Sequence, residues 1–267
     1  MNKLTPSPPH LVAALSTILF LHGFAESREV WTEFTRPFPA SYRLLMPNLL
    51  GHGTHRGPVA DFSMEAQARH VVAYLDEKNV VGSVLVVGHS MGGYVALALA
   101  ERYPERLAGL VLLNSTALAD TDEKRQNRAK NIGFVERHGL DKFMVSFVRP
   151  LFAPANRERL PEALALLEDI GRATPEATIA GAMRAMAARP DRTAVLRAAA
   201  FPVLFIAGKH DVAVPLADSV TQAALPPLGA ALFLEGSGHQ AYLEQPEATR
   251  RAVLALAEAV LNRVTTS

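Results

Sequence analysis

Residues 84–93 read Val-Leu-Val-Val-Gly-His-Ser-Met-Gly-Gly, an apolar run that ends in G-x-S-x-G and passes into an Ala- and Leu-rich stretch. Strand, sharp turn, helix is the setting in which a serine becomes an exposed nucleophile. Such a turn strains the serine backbone and lifts Ser90 Oγ clear of the strand, while the next helix aims its first amides at the same point. Gly88 and Gly92 are expected to lack side chains because neighbouring chain passes too close for a Cβ. A serine capping a helix in a tight turn is the plainer reading, and the apolar run before the motif disfavours it. A serine hydroxyl attacks well only when a base takes its proton, and that base needs an orienting acid.

The block Gly-His-Ser-Met-Gly-Gly resembles the nucleophile elbow of the α/β-hydrolase fold family, and further blocks follow in that family's order over nearly the whole chain. The resemblance implies an α/β fold: a mostly parallel central sheet flanked by helices, with a helical cap insertion. It also implies a triad in the chain order serine, acid, histidine. Residues 205–211, Phe-Ile-Ala-Gly-Lys-His-Asp, are similar to the family's G-x-x-D block and lead on to Pro215. Asp211 then falls at the carboxyl end of a strand, beside the crevice where open α/β sheets bind ligands. His239, in Glu-Gly-Ser-Gly-His, directly follows another apolar run and lies 28 residues after Asp211. That interval holds one helix and one strand, which brings the two loops side by side. Gly236 and Gly238 are expected to let the loop fold so that the imidazole reaches Ser90. His239 would act as base and then acid, and Asp211 would hold the tautomer and stabilise the imidazolium. Some relatives carry the acid after an earlier strand, but here Asn114 and Ser115 have no charge and Asp120 is the first carboxylate beyond it.

His22-Gly23-Phe24 closes the run Ile18–Leu21 and looks like the family's HG-x motif. The resemblance assigns the backbone N–H groups of Phe24 and Met91 to an oxyanion hole. Each such donor is worth about 3 kcal/mol in the transition state. Residues 46–53 match a further block that an aspartate usually leads; Asn48 and Leu50 depart from it, and the loop is read as structural. His89 is read as a packing residue, His52 as a loop residue, and His10, His55, His70 and His138 as surface. His22, His52 and His55 lack partners at ligand spacing, so no metal and no cofactor is expected.

Residues so far apart meet only if strands carry them to one edge. Strands are expected at Thr17–Leu21, Tyr42–Met46, Ser83–Val87, Leu107–Leu113, Val203–Ala207 and Ala231–Leu234, several of them unbroken Val/Leu/Ile runs typical of parallel strands buried on both faces. Helices alternate with them. Ser63 caps one whose apolar face is Met64, Ala68, Val71, Val72 and Leu75. Another runs from Met91 to about Tyr103, and the last starts near Pro246 with a stripe of Val253, Leu256, Val260 and Val264. Residues 120–192 hold helical periods and no convincing strand, punctuated by Gly139, Pro154, Pro161, Gly171, Pro175 and Pro190 into about four helices. The expected organisation is a core domain of residues 1–119 and 193–267 and a helical cap (lid) of residues 120–192. Few residues precede Thr17, so one or both of the family's first edge strands are expected to be short or missing.

The chain has 267 residues, 49% of them hydrophobic, enough for one α/β domain with an insertion and a sizeable core. Its 27 Lys plus Arg against 26 Asp plus Glu give a net charge of +1, which argues against nucleic-acid and membrane partners. There is no cysteine, hence no disulfide and no thiolate nucleophile. The run Leu11–Leu21 is too short to span a bilayer, and upstream of it Lys3 is the only basic residue, with prolines at 6, 8 and 9 between, which does not suit a signal peptide. Its second half is read as a buried strand, and the cytoplasm is the default location.

These readings converge on a serine hydrolase that cleaves a small, uncharged carboxylic ester through an acyl-enzyme. A C–C bond hydrolase, a lactonase or an acyltransferase would use the same triad, and the fold does not choose among them. A ligand-binding or signalling protein on this scaffold would not need all three triad residues. Epoxide hydrolase and dehalogenase chemistry is disfavoured because those relatives carry aspartate at the position of Ser90. Phe134, Phe143, Met144 and Phe147 are the candidate substrate-binding residues, with Phe152 and Met183 as further apolar candidates. For most of these, packing within the cap's own core is the plainer role. The expected partner is a small-molecule substrate; the oligomeric state is left open.

Overall fold

The computed structural model describes residues 16–55 and 57–261. The readings for His10, for Val264, for the first part of the run at 11–15 and for missing edge strands lie outside the described residues.

Six strands form one sheet: β1 (Ser16–Leu21), β2 (Tyr42–Leu45), β3 (Val84–His89), β4 (Leu107–Leu113), β5 (Val203–Gly208) and β6 (Gly229–Leu234), in the order β2-β1-β3-β4-β5-β6. Every pairing is parallel. Residues of β3 and β5 are buried throughout, because helices cover both faces and no strand position faces water. β6 closes one edge, and its first three residues are exposed.

The chain leaves β1 for β2 and returns to place β3 on the other side of β1. The strand order therefore reverses between β1 and β3, and a crevice opens there at the carboxyl ends. Leu21 is level with Gly88, and His89 with Leu113, so the turns after β1, β3 and β4 share one rim.

The helices are α1 (Thr32–Thr35), α2 (Met64–Glu77), α3 (Met91–Arg102), α4 (Asp122–Leu151), α5 (Pro161–Ala173), α6 (Glu176–Ala188), α7 (Thr193–Arg197), α8 (Leu216–Ala223), α9 (Ala241–Glu244) and α10 (Pro246–Leu261). Ser63 accepts from the Ala66 N–H and caps α2 as expected. Val72 is only half-buried there. Gln67 is buried instead, because its amide oxygen accepts from the Leu50 N–H at 2.8 Å. In α10 the buried line is Thr249, Val253, Ala257 and Leu261, one position round from the expected Leu256 and Val260. The small Ala257 faces inward, and the two larger side chains flank it half-buried.

Between β4 and β5 the chain is helical. Gly139 has φ 79° and breaks α4 into two helical runs, so 122–138, 140–151, α5 and α6 account for the four expected segments. α4 packs against both α5 and α6. Among the described residues no helix is long and apolar enough to cross a membrane.

Candidate active site

Ser90 sits between the last residue of β3 and the first of α3, with φ 50° and ψ −115°. A non-glycine residue reaches that region only when its surroundings force it. Here the Ser90 N–H donates to the Leu113 carbonyl at 3.0 Å, and the Ser90 carbonyl accepts from the Gly93 N–H and from Ser115 Oγ. Gly92 is held against β1: a Cβ there would strike the Leu21 carbonyl oxygen. The turn is thus gripped from both neighbouring strands, and Ser90 stays half-buried with its hydroxyl at the crevice.

His239 Nε2 lies 2.9 Å from Ser90 Oγ, and His239 Nδ1 lies 2.8 Å from Asp211 Oδ2 and 3.0 Å from Oδ1. A carboxylate only accepts, so Nδ1 carries the proton and Nε2 is left as acceptor for the serine hydroxyl. Asp211 Oδ1 also accepts from the Ala213 and Val214 N–H groups. Burial alone would raise the Asp211 carboxyl. The His239 ring, the Val214 N–H and the Asn114 amide outweigh it and hold the group below its ordinary value.

The histidine loop reaches this position through one glycine. A Cβ on Gly238 would meet the Leu151 carbonyl and the Ala153 nitrogen, whereas Gly236 has room. Only Gly238 therefore has the role expected of both.

Several polar residues that the sequence left unassigned converge here. Asn114, at φ 48°, donates from Nδ2 to Asp211 Oδ2 at 2.9 Å and to the Gly238 carbonyl at 3.0 Å. His89 is more than packing. Its Nε2 lies 2.9 Å from the His239 carbonyl and its Nδ1 3.2 Å from Glu26 Oε2. Both neighbours are acceptors, so both ring nitrogens carry protons and His89 is an imidazolium. Burial would lower the His89 pKa and raise that of Glu26. Their mutual attraction reverses both, raising His89 and lowering Glu26 to about 2. Glu26 also accepts from the Gly23 N–H at 2.7 Å, which fixes the turn after β1. The signal for Glu26 was its place three residues past His22-Gly23, legible only once the turn is folded.

That turn carries Phe24. Among the described residues no protein acceptor takes the Phe24 N–H, and the Met91 N–H, first in α3, has no partner within its helix. His22 Nδ1 binds its own turn at the Gly23 carbonyl, and Nε2 accepts from the Leu49 N–H. Asn48 accepts from the Arg28 N–H and donates to Thr54, so its loop is tied by its departing residue. His52 is fully buried, its pKa lowered to about 3 by burial and by His22. His55 and His70 are half-buried against each other rather than at the surface, and His138 is exposed.

Phe147 packs edge-on against Phe24 at 5.5 Å and stacks on Phe143 at 5.2 Å. Phe134 continues the row at 6.5 Å from Phe143. Met144 points elsewhere, against Gly171 of α5, and Phe152 and Met183 are fully buried. Asp120 is paired with Arg128 and Arg189, both at 2.5 Å, and makes no bond to His239.

A family model described as alpha/beta hydrolase fold matches residues 16–246. An esterase from Thermogutta terrifontis has a solved structure that superposes with a TM-score of 0.87 at 28% identity, covering 92% of this chain and 90% of that one. A pimeloyl-[acyl-carrier protein] methyl ester esterase from Aromatoleum aromaticum is 30% identical over 246 residues, 86% of this chain and 93% of its own. A putative 2-succinyl-6-hydroxy-2,4-cyclohexadiene-1-carboxylate synthase from Bacillus subtilis is 28% identical over 243 residues, 87% of each chain.

Proposed function

This chain belongs to the α/β-hydrolase fold family and is a hydrolase of that family, and from that premise we propose that it cleaves a small, uncharged carboxylic ester through an acyl-enzyme formed on Ser90. The observation that carries the reading is the unbroken hydrogen-bonded row from Ser90 Oγ through His239 to Asp211, beginning at a serine with strained backbone.

Ser90 Oγ attacks the ester carbonyl carbon as His239 Nε2 takes its proton. The carbonyl oxygen becomes an oxyanion, received by the Phe24 and Met91 N–H groups. His239 then gives the proton to the departing alkoxide, and the acyl group remains on Ser90. Water repeats the sequence: His239 takes its proton, the acid leaves, and Ser90 Oγ is reprotonated. Asp211 keeps the imidazole in the tautomer this needs and stabilises the imidazolium.

Residues 120–192 act as the cap over this crevice. The contact of Phe147 with Phe24 supports a roof of Phe147 and Phe143 beside the oxyanion turn. Aromatic rings there favour an apolar acyl group of limited length. The two esterases among the similar proteins also favour ester cleavage. The test is a panel of p-nitrophenyl esters from acetyl to palmitoyl, run on the wild-type chain and on Ser90→Ala. Fastest turnover on acetyl to butyryl esters, lost in Ser90→Ala, is expected. Equal rates on acetyl and palmitoyl esters, or turnover only of a C–C cleavable diketone, would refute the assignment.

A further inference from the structure

Glu244 ends the four-residue helix α9, five residues beyond His239, and is buried. Its carboxylate is filled by donors from two separate parts of the chain. On one side Oε1 accepts from the Gly238 N–H at 2.8 Å, the Gln240 N–H at 3.1 Å and Ser237 Oγ at 3.4 Å. These donors bracket His239. On the other side Oε2 accepts from the Ala153 N–H at 2.8 Å and from Asn156 Nδ2 at 2.7 Å, both just past the end of α4. Asn156 also donates to the Gly236 carbonyl at 2.8 Å, and the His239 N–H itself donates to the Leu151 carbonyl at 2.7 Å. Among the described residues no Lys or Arg side chain forms an ion pair with the Glu244 carboxylate.

We propose that Glu244 is a positioning residue that locks the His239 loop to the C-terminal end of α4, so that the seating of the 120–192 helices sets the reach of the imidazole toward Ser90. The inference rests on the reading of His239 as the base. A carboxylate suits the place because both its oxygens only accept, and every group facing them donates. An amide there would turn one side into a donor facing donors, freeing either the histidine loop or the end of α4. A base displaced by a fraction of an ångström loses rate steeply, while a loose substrate pocket would lose binding instead. The position therefore predicts a loss in kcat with KM retained.

The experiment uses the full chain as wild type, Glu244→Gln, Glu244→Asp and Asn156→Ala. Each is assayed for p-nitrophenyl acetate turnover, for the rate of fluorophosphonate labelling of Ser90, and for thermal midpoint. Glu244→Gln should lose about 10–100-fold in kcat and in labelling rate with KM nearly unchanged. Glu244→Asp, which keeps two accepting oxygens, should recover part of that loss. Asn156→Ala, which removes one donor to Glu244 Oε2 and the bond to the Gly236 carbonyl but leaves the donors to Oε1 in place, should slow labelling less but measurably. Should Glu244→Gln fail to fold, Asn156→Ala decides alone: a wild-type labelling rate there overturns the coupling. Wild-type kcat in a folded Glu244→Gln, or a rise in KM alone, overturns it as well. If the wild-type chain takes no label on Ser90, the hydrolytic reading itself falls and the inference with it, a pattern distinct from normal labelling in every variant.

Discussion

Asn114 Nδ2 donates to Asp211 Oδ2 at 2.9 Å, tying the end of β4 to the carboxylate that follows β5. A second bond from the same nitrogen to the Gly238 carbonyl brings the histidine loop into the same grip. Removing the amide in Asn114→Ala takes one charge-assisted bond from Asp211. Such bonds are worth about 1.5–3 kcal/mol, so kcat should fall by about 10–100-fold with KM little changed. Steady-state kinetics on a short ester checks this; an unchanged kcat would remove Asn114 from the positioning of the acid.

Asp211 and Asp120 separate cleanly. Asp211→Asn keeps the shape but places a donor against His239 Nδ1, favouring the wrong tautomer. By analogy with serine proteases, kcat should fall by about 10⁴. Asp120 lies between Arg128 and Arg189 and is fully buried. Asp120→Asn should leave kcat within a few-fold of wild type yet cost about 3–5 kcal/mol of stability, because the buried Arg189 and the half-buried Arg128 lose their partner. Paired kinetics and denaturant titration test both halves, and the reverse pattern would move the acid to Asp120.

The Glu26–His89 pair predicts a pH window of stability. Glu26 titrates at about 2 in the folded chain, below its unfolded value, so its contribution is present above about pH 4.5 and is lost as the pH falls toward 2. His89 is raised, so its contribution is whole below about pH 6.5 and is lost as the pH rises through its folded pKa. The gap in melting temperature between wild type and Glu26→Gln should therefore be widest near pH 5–6 and narrow on both sides. Thermal melts across pH 3–9 measure it; a gap independent of pH contradicts the charged pair.

Phe147 joins the residues at 120–192 to the turn that carries Phe24. Phe147→Ala should open space beside the Phe24 turn and move the preferred acyl chain to greater length. Met144→Ala, whose side chain faces Gly171, should destabilise the chain and leave that preference where it was. Ester-panel profiles of the two variants decide it, and a shift in Met144→Ala alone would reassign the pocket.

Particular residues mark how far the sequence carries. The inner strands are legible because parallel strands buried on both faces are unbroken apolar runs, and Ser90 because a strand and a helix flank G-x-S-x-G. Asn114 was legible only as a group unable to be the acid. Its bond to the Asp211 carboxylate depends on β4 and β5 being neighbours, which pairing order decides. His89 looked like packing because nothing local places Glu26 and the His239 carbonyl on its two nitrogens. Glu244 carries no signal in the sequence, because its partners Ala153 and Asn156 meet it only where α4 ends. In α10 Val253 is buried as expected, while Ala257 and Leu261 lie deeper than Leu256 and Val260, because apolar periodicity locates a face and not which residue of it lies nearest the sheet.

Ser90 as the nucleophile is tested most directly by the site of covalent attachment. Incubation of the native chain with a fluorophosphonate, followed by peptide mass spectrometry, should find one adduct, on Ser90, forming in step with loss of esterase activity. An adduct on another residue, or full esterase activity in Ser90→Ala, would contradict the account.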